Sequence, residues 1–147
     1  MHTAVAAIAF IACSTFVYAQ SLDQQERCAQ QASRAFQQID TEAKATNKRM
    51  GFSPVSNDYQ SHYNTKIGKC LILVETATML GDQLNTSANL MDAIERRYYA
   101  SYLWISRKDN KNGQVLPSIC ELIPSVRAKK LCTSREEFDE FVAGYME

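Results

Sequence analysis

The sequence predicts an α+β fold: a long N-terminal helix and a short C-terminal helix pack on a small antiparallel sheet, and two disulfides hold them. Three observations lead to this prediction. Apolar residues recur at helical spacing after an apolar leader, β-branched and aromatic residues alternate through the middle of the chain, and a capped amphipathic segment closes it. Strands gathered between terminal helices favour segregated helices and strands over an alternating arrangement.

The first residues have the composition of an export signal. From Ala4 to Val17 nearly every side chain is apolar or small and none is charged, and this run is shorter than the ~20 apolar residues that a membrane span needs. We therefore predict a signal peptide over residues 1–19, cleaved after Ala19, and one mature domain over residues 20–147. Two alternatives remain open, a buried N-terminal helix and lipidation at Cys13.

Four cysteines remain after signal cleavage: Cys28, Cys70, Cys120 and Cys132. An even number of cysteines in an oxidising compartment predicts disulfides, and four cysteines allow three pairings. We favour Cys120–Cys132, because it closes a loop of only 13 residues that suits a hairpin, and Cys28–Cys70 then follows. No Cys-x-x-Cys pair occurs, so neither a redox pair nor a metal site is predicted.

Residues 21–49 are predicted to form the first helix. Ser21 and Gln24 have the spacing of an N-terminal capping box, whereas Gly51 and Pro54 mark the C-terminal end. Its predicted inward stripe consists of Cys28, Ala32, Ala35 and Ile39. The cysteine at this position would tie the helix to the centre of the fold.

The middle of the chain contains one clear strand and one ambiguous segment. Residues 52–66 are polar and predict an ordered connection, residues 69–79 alternate as a strand does, and residues 81–89 predict a loop. Residues 90–105 fit either a helix or a hairpin. Their aromatic and β-branched composition favours the hairpin, with its turn at residues 95–97, and the helix remains the alternative.

The aromatic residues of the second predicted hairpin strand would occupy both of its faces. Regular alternation places Tyr98, Tyr102 and Trp104 on one face. It places Tyr99, Leu103 and Ile105 on the other face. Burial under a helix is the expected environment of such side chains, with one face left as a possible partner surface.

The C-terminal part predicts a loop, a hairpin and a helix in that order. Residues 108–113 have loop composition, and residues 115–123 and 126–132 predict two strands around residues 124–125. A second capping box begins at Ser134 and opens the short helix. The predicted inward residues of this helix are Phe138, Phe141, Val142 and Tyr145.

Composition excludes several classes of protein. Sixteen basic and sixteen acidic residues give a formal net charge of zero, so the clustered positive charge of a nucleic-acid-binding protein is not expected. The apolar fraction of 46% is too high for a disordered chain. The apolar run at residues 70–74 is too short for a membrane span, and no glycine-rich phosphate loop occurs. We therefore predict no cofactor and no membrane span after signal cleavage.

Several short motifs follow one another along the mature chain. They are Ser61-His62-Tyr63-Asn64, Lys69-Cys70, Leu90-x-Asp92-Ala93-x-Glu95, Tyr99-Ala100-x-Tyr102-x-Trp104, the Cys120…Cys132 pair and Glu137-Phe138…Tyr145-Met146. In this order the chain resembles small exported bacterial proteins of uncharacterised function over most of its mature length. The resemblance implies a shared fold and compartment and supports the hairpin at residues 90–105. It implies no activity, cofactor or catalytic residue.

His62, Tyr63, Asn64 and Tyr99 form the candidate binding set. His62 is the only histidine of the predicted mature chain, and tyrosines are enriched where proteins bind partners. No catalytic residue and no metal ligand is assigned, because hydrolysis needs a nucleophile, a base and an orienting group together.

The predicted function is that of an exported module, periplasmic or extracellular, which binds an envelope protein or glycan without catalysis. A small hydrolase-type enzyme using His62 is the alternative, although the sequence has no Gly-x-Ser-x-Gly elbow. A purely structural envelope component is a third possibility.

Overall fold

The computed structural model describes residues 12–106, 116–125 and 128–147. In chain order the elements are α1 (Ala12–Met50), β1 (Ser53–Asn64), β2 (Lys69–Leu80), β3 (Gln83–Asp92), β4 (Tyr98–Ile105), β5 (Ile119–Ser125), β6 (Ala128–Leu131) and α2 (Arg135–Met146). The predicted α+β class, with a long first helix and a short last helix, is confirmed.

The long helix extends beyond its predicted N-terminal end. The helix begins at Ala12, so Ser21 lies inside it. The prediction that Ser21 caps the helix is therefore wrong. It ends at Met50, and Gly51 follows with a positive φ of 78°, which confirms the predicted end. Residues 1–11 lie outside the described part of the chain, and the signal peptide remains a prediction.

The six strands form one antiparallel meander in the order β1-β2-β3-β4-β5-β6. The prediction of a connection over residues 52–66 is wrong, because β1 pairs with β2 from Ser53 to Asn64. The prediction of a loop over residues 81–89 is also wrong, because β2 turns at residues 81–82 and β3 pairs back along it from Gln83. Both strands were missed because their polar side chains lack the alternation of a half-buried strand.

The hairpin at residues 90–105 is confirmed, but the predicted faces of β4 are wrong at Tyr98 and Tyr99. Leu90 pairs with Ala100 and Met91 pairs with Tyr98, so Tyr99 is the extra residue of a β-bulge. The bulge turns Tyr99 towards the face of Tyr102, where it is buried, and leaves Tyr98 46% exposed. Simple alternation therefore fails at this point.

Each face of the sheet carries its own buried cluster. The α1-facing cluster consists of Cys28, Ala32, Ala35, Cys70, Ile72, Val74, Met91 and Ala93. The α2-facing cluster consists of Leu71, Leu73, Ala88, Leu90, Tyr99, Ala100, Tyr102, Cys120, Leu122, Cys132, Phe138 and Val142. Alternate residues of β2 supply the two clusters, which makes β2 the centre of the fold.

The predicted disulfide pairing is confirmed, and one disulfide lies within each cluster. Cys28–Cys70 joins α1 to β2 with a Cα–Cα distance of 5.2 Å. Cys120–Cys132 joins β5 to the segment that precedes α2 with a Cα–Cα distance of 5.0 Å. Each helix is thereby held next to the face that it covers.

The C-terminal hairpin and helix also follow the prediction. β5 pairs with β6, but residues 124–125, predicted as the turn, are the last two residues of β5, and β5 begins at Ile119 and not at residue 115. The loop predicted over residues 108–113 lies outside the described residues. Ser134 caps α2 by accepting a hydrogen bond from the Glu137 amide at 3.2 Å. The four predicted inward residues of α2 belong to or pack against the α2-facing cluster. In the described part of the chain, neither helix is apolar enough over a sufficient length to cross a membrane.

Candidate functional site

The structure divides the candidate binding set between two faces of the sheet. Successive residues of β1 point to opposite faces, so Tyr63 packs against the α1-facing cluster while His62 and Asn64 point to the α2 side. Among the described residues, no hydrogen bond joins His62 to the other three. The adjacency of these residues in sequence therefore does not make one contiguous site.

Asn64 is buried, and the hydrogen-bonding groups of its side chain are engaged within the fold. Its Nδ2 donates to the Tyr145 carbonyl at 2.8 Å, and its Oδ1 accepts from the amides of Lys66 at 3.0 Å and Ile67 at 3.2 Å. The side chain thus fixes the β1–β2 turn and attaches the end of α2 to it.

Tyr99 is buried on the same side and contacts the same end of α2. Its ring lies 5.3 Å from that of Tyr145, and the Arg97 guanidinium lies 5.2 Å from the Tyr99 ring centroid. Burial raises the pKa of the Tyr99 hydroxyl above its usual value. The structure therefore brings Tyr99 and Asn64 together around Tyr145, in a packed environment.

A groove of about 550 Å³ lies on the other face of the sheet, between the second half of α1 and strands β1 and β2. The helix contributes Phe36, Asp40, Ala43, Lys44 and Asn47 to its lining. These positions recur every three or four residues, which places them on one stripe of α1. The strands contribute Pro54, Val55, Ser56, Asn57, Thr76 and Thr78. We call this feature the helix–strand groove.

The polar centre of the helix–strand groove is a hydrogen-bonded trio. Asp40 accepts from Lys44 Nζ at 2.6 Å through Oδ2 and from Asn57 Nδ2 at 2.7 Å through Oδ1. The hydrogen bond from Lys44 is the main reason that the pKa of Asp40 lies below its usual value; desolvation opposes this effect, and the bond from Asn57 reinforces it. The carboxylate is therefore ionised and neutralised in place.

Only one of the two polar groups of the Asn57 side chain makes a hydrogen bond with the described residues. Its Nδ2 donates to Asp40, whereas its Oδ1 is shielded from solvent and accepts no hydrogen bond from the described residues. Leaving a buried acceptor unpaired typically costs about 1–3 kcal/mol. The groove consequently lacks one hydrogen-bond donor at its polar centre.

An aromatic pair forms the apolar side of the helix–strand groove. The ring of Phe36 stacks on that of Tyr59, with centroids 4.5 Å apart and planes inclined by 26°. Tyr59 is held in β1 opposite Val74, whose side chain is buried under α1. Phe36 therefore presents a fixed apolar surface beside the Asp40–Asn57 trio.

A second depression lies where α1 no longer covers the sheet, because α1 packs mainly on β1 and β2. This depression, of about 490 Å³, is lined by residues of β3, β4 and β5 that include Asn89, Ser101, Leu103 and Ile119. We call it the uncovered sheet face. It combines amide and hydroxyl groups and the carboxylate of Glu121 with apolar side chains.

Sequence reasoning did not identify the helix–strand groove. Two signals were present: Asp40 and Lys44 are four residues apart on the helix, and Asn57, Tyr59 and Tyr63 alternate as residues of one strand face do. The second signal was lost because β1 was interpreted as a connection. Without a strand predicted at β1, no element was expected opposite the α1 residues that line the groove.

No family model, no curated protein and no solved structure matches this chain.

Proposed function

We propose that the protein is an exported, non-catalytic binding module that holds its ligand in the helix–strand groove. The observation that carries this proposal is the groove itself. Its volume of about 550 Å³ is in the usual range of ligand sites, ~300–1,000 Å³, and it places a few polar groups beside an aromatic wall. Such a combination orients a ligand through hydrogen bonds and retains it through apolar contact.

Two features support export to the periplasm or the cell exterior. Both cysteine pairs form disulfides, and disulfides persist mainly in oxidising compartments. The apolar, uncharged run from Ala4 to Val17 has the composition of a signal-peptide core. Mass spectrometry of the native protein tests this part: cleavage after Ala19 and four oxidised cysteines are expected, and an intact N-terminus or free thiols would contradict it.

The chemistry of the groove supports binding without catalysis. An effective general acid or base has a pKa near the working pH, whereas Lys44 and Asn57 hold the pKa of Asp40 below its usual range. At neutral pH the carboxylate is therefore a weak base and has no proton to donate. On the opposite face, the Asn64 side chain is engaged in structural hydrogen bonds.

Ligand screening by NMR tests the proposed site. A chemically diverse fragment library is titrated into the disulfide-bonded protein, and we expect the largest amide shifts at residues around Asp40 and Asn57. Ala43→Phe fills the groove from the helix and should abolish these shifts. Ala45→Phe, at an exposed position of the same helix, is the matched control and should retain them. Fragment shifts confined to other surfaces, including the one around His62, would contradict the proposal.

A further inference from the structure

We infer that the ligand of the helix–strand groove is a neutral saccharide; this inference rests on the proposed function and specifies its ligand class. Three features of the groove lead to it: its internally neutralised charges, its unpaired hydrogen-bond acceptor and its aromatic wall.

The charges of the groove are neutralised within it. Lys44 Nζ lies 2.6 Å from Asp40 Oδ2, and the other carboxylate oxygen of Asp40 accepts from Asn57. The ammonium is thus paired and does not present an isolated positive charge to a phosphate or carboxylate. The carboxylate is likewise paired and does not attract an amine. A ligand without net charge fits this balance.

The polar groups of the groove match hydroxyl groups. Asn57 lines the groove, and its Oδ1 has no hydrogen-bond donor among the described residues. The hydroxyl of Thr78, which lies on the same face of the sheet as Asn57, can both donate and accept. A sugar hydroxyl also does both, so one ligand group can donate to Asn57 and accept from a neighbouring residue.

The aromatic wall matches the apolar face of a sugar ring. A pyranose carries its hydroxyl groups around the ring and exposes C–H groups on its faces, which pack against aromatic side chains. Phe36 lines the groove and is held in position by stacking on Tyr59 at 4.5 Å. The aromatic wall therefore suits the C–H faces of a saccharide, and the trio of Asp40, Lys44 and Asn57 suits its hydroxyl groups.

A peptide bound by strand addition fits this site less well, because part of the outer edge of β1 is already engaged. The Tyr59 amide donates to Asp58 Oδ1 at 2.8 Å. The Gln25 side chain pairs with both backbone groups of Tyr63, at 2.9 and 3.1 Å. Pro54 lacks an amide hydrogen altogether. An added strand would have to displace these contacts to pair with Tyr59 and Tyr63.

The test is an NMR titration of the purified, disulfide-bonded protein with maltotriose, cellotriose and tri-N-acetylchitotriose, and separately with trialanine and inorganic phosphate. We expect at least one trisaccharide to shift the amides around Phe36 and Asn57. Asn57→Ala should weaken its binding about tenfold, the effect of one lost hydrogen bond. Asn89→Ala, on the uncovered sheet face, is the matched control and should leave the affinity unchanged.

A second variant keeps the test valid if Asn57→Ala does not fold. Ala43→Phe blocks the groove while the side chains of Asp40 and Asn57 remain, and it should abolish saccharide binding. Ala45→Phe should not.

The other outcomes are distinguishable. If trialanine or phosphate shifts the groove amides and no trisaccharide does, the saccharide inference is overturned and the proposed binding function stands. If a trisaccharide binds but Asn89→Ala weakens it, the inference is overturned in favour of the uncovered sheet face. If neither these probes nor the fragment library shifts the groove amides, the inference and the proposed function both fail.

Discussion

At the scale of single residues, Asp40 is the group on which the charge balance of the groove depends. Lys44 and Asn57 each donate to one of its carboxylate oxygens, and together they hold its pKa below the usual value. The folded protein therefore releases this proton more readily than the unfolded chain does. These contacts stabilise the fold above the unfolded pKa of about 4, and their contribution disappears as the pH falls through the lower, folded pKa.

Removing the Lys44 charge tests this arrangement. Lys44→Met should raise the pKa of Asp40 towards its usual value, because the hydrogen bond from the Lys44 ammonium, the main cause of the lowered pKa, is lost. It should also weaken the pH dependence of stability below about pH 4. NMR titration of the Asp40 carboxyl carbon measures the first effect. Lys48→Met, one helical turn further along, is the control, and identical Asp40 titrations in the two variants would refute the assignment.

His62 provides a test that separates binding from the hydrolase alternative. It is half-buried on the α2 side of β1, on the face of the sheet opposite the groove. His62→Ala should therefore leave ligand affinity in the groove unchanged and alter the free energy of unfolding by less than about 1 kcal/mol. Isothermal titration and urea denaturation measure these quantities. A hydrolytic activity of the wild type that disappears in this variant would instead favour the enzyme.

At the scale of elements, a side chain of α1 helps to hold the edge strand β1 in place. Gln25 replaces a seventh strand locally, because its amide group donates to the Tyr63 carbonyl and accepts from the Tyr63 amide. Gln25→Ala should lower the free energy of unfolding by about 1–2 kcal/mol, since a typical hydrogen bond contributes about 1 kcal/mol.

Gln24→Ala is the matched control for this prediction. Gln24 is also half-buried on α1, but its side chain makes no hydrogen bond with the described residues. Its replacement by alanine carries the same change in helix propensity. Equal urea midpoints for the two variants would show that Gln25 does not hold the edge of the sheet.

Elements were predictable where burial follows one regular period. The β-branched residues Ile72 and Val74 alternate along β2 in sequence, although both faces of this strand are buried, and Ser134 precedes the apolar stripe of α2, so both elements were found from their patterns. β1 and β3 were missed because long parts of them are polar and incompletely buried, and they are ordered by pairing with β2. Pairing depends on distant residues, and no local pattern reports it.

The candidate site shows the same limit. Tyr63 and Asn64 are adjacent in sequence, but the pleat of β1 directs them to opposite faces, and the bulge at Tyr99 reverses the face that alternation assigns. The groove residues Asp40 and Asn57 are seventeen positions apart and meet only because α1 folds back over β1. The cysteines were more informative, because four cysteines allow only three disulfide pairings and the short spacing of Cys120 and Cys132 favoured one of them.

At the scale of the whole molecule, the two disulfides have different consequences for the groove. The Cys28–Cys70 pair spans 42 positions and the Cys120–Cys132 pair spans 12, so loop-closure entropy assigns them about 4 and 3 kcal/mol of stabilisation. Only the first pair joins α1 to the sheet. The other fully buried side chains of the helix, Ala32 and Ala35, are small and offer little apolar area, whereas the larger Phe36 and Ile39 are only partly buried.

The docking of α1, and with it the groove, should therefore depend on the first disulfide more than on the second. Replacing Cys28 and Cys70 together by alanine should accelerate amide hydrogen exchange throughout α1 and weaken ligand binding in the groove. The matched double variant of Cys120 and Cys132 should loosen the β5–β6 hairpin and the start of α2 while the groove keeps its affinity, because both positions lie in the α2-facing cluster. Hydrogen-exchange mass spectrometry and titration calorimetry measure the two effects. Equal loss of groove affinity in the two variants would mean that the faces of the sheet are coupled, and that the groove is not held by the Cys28–Cys70 bond in particular.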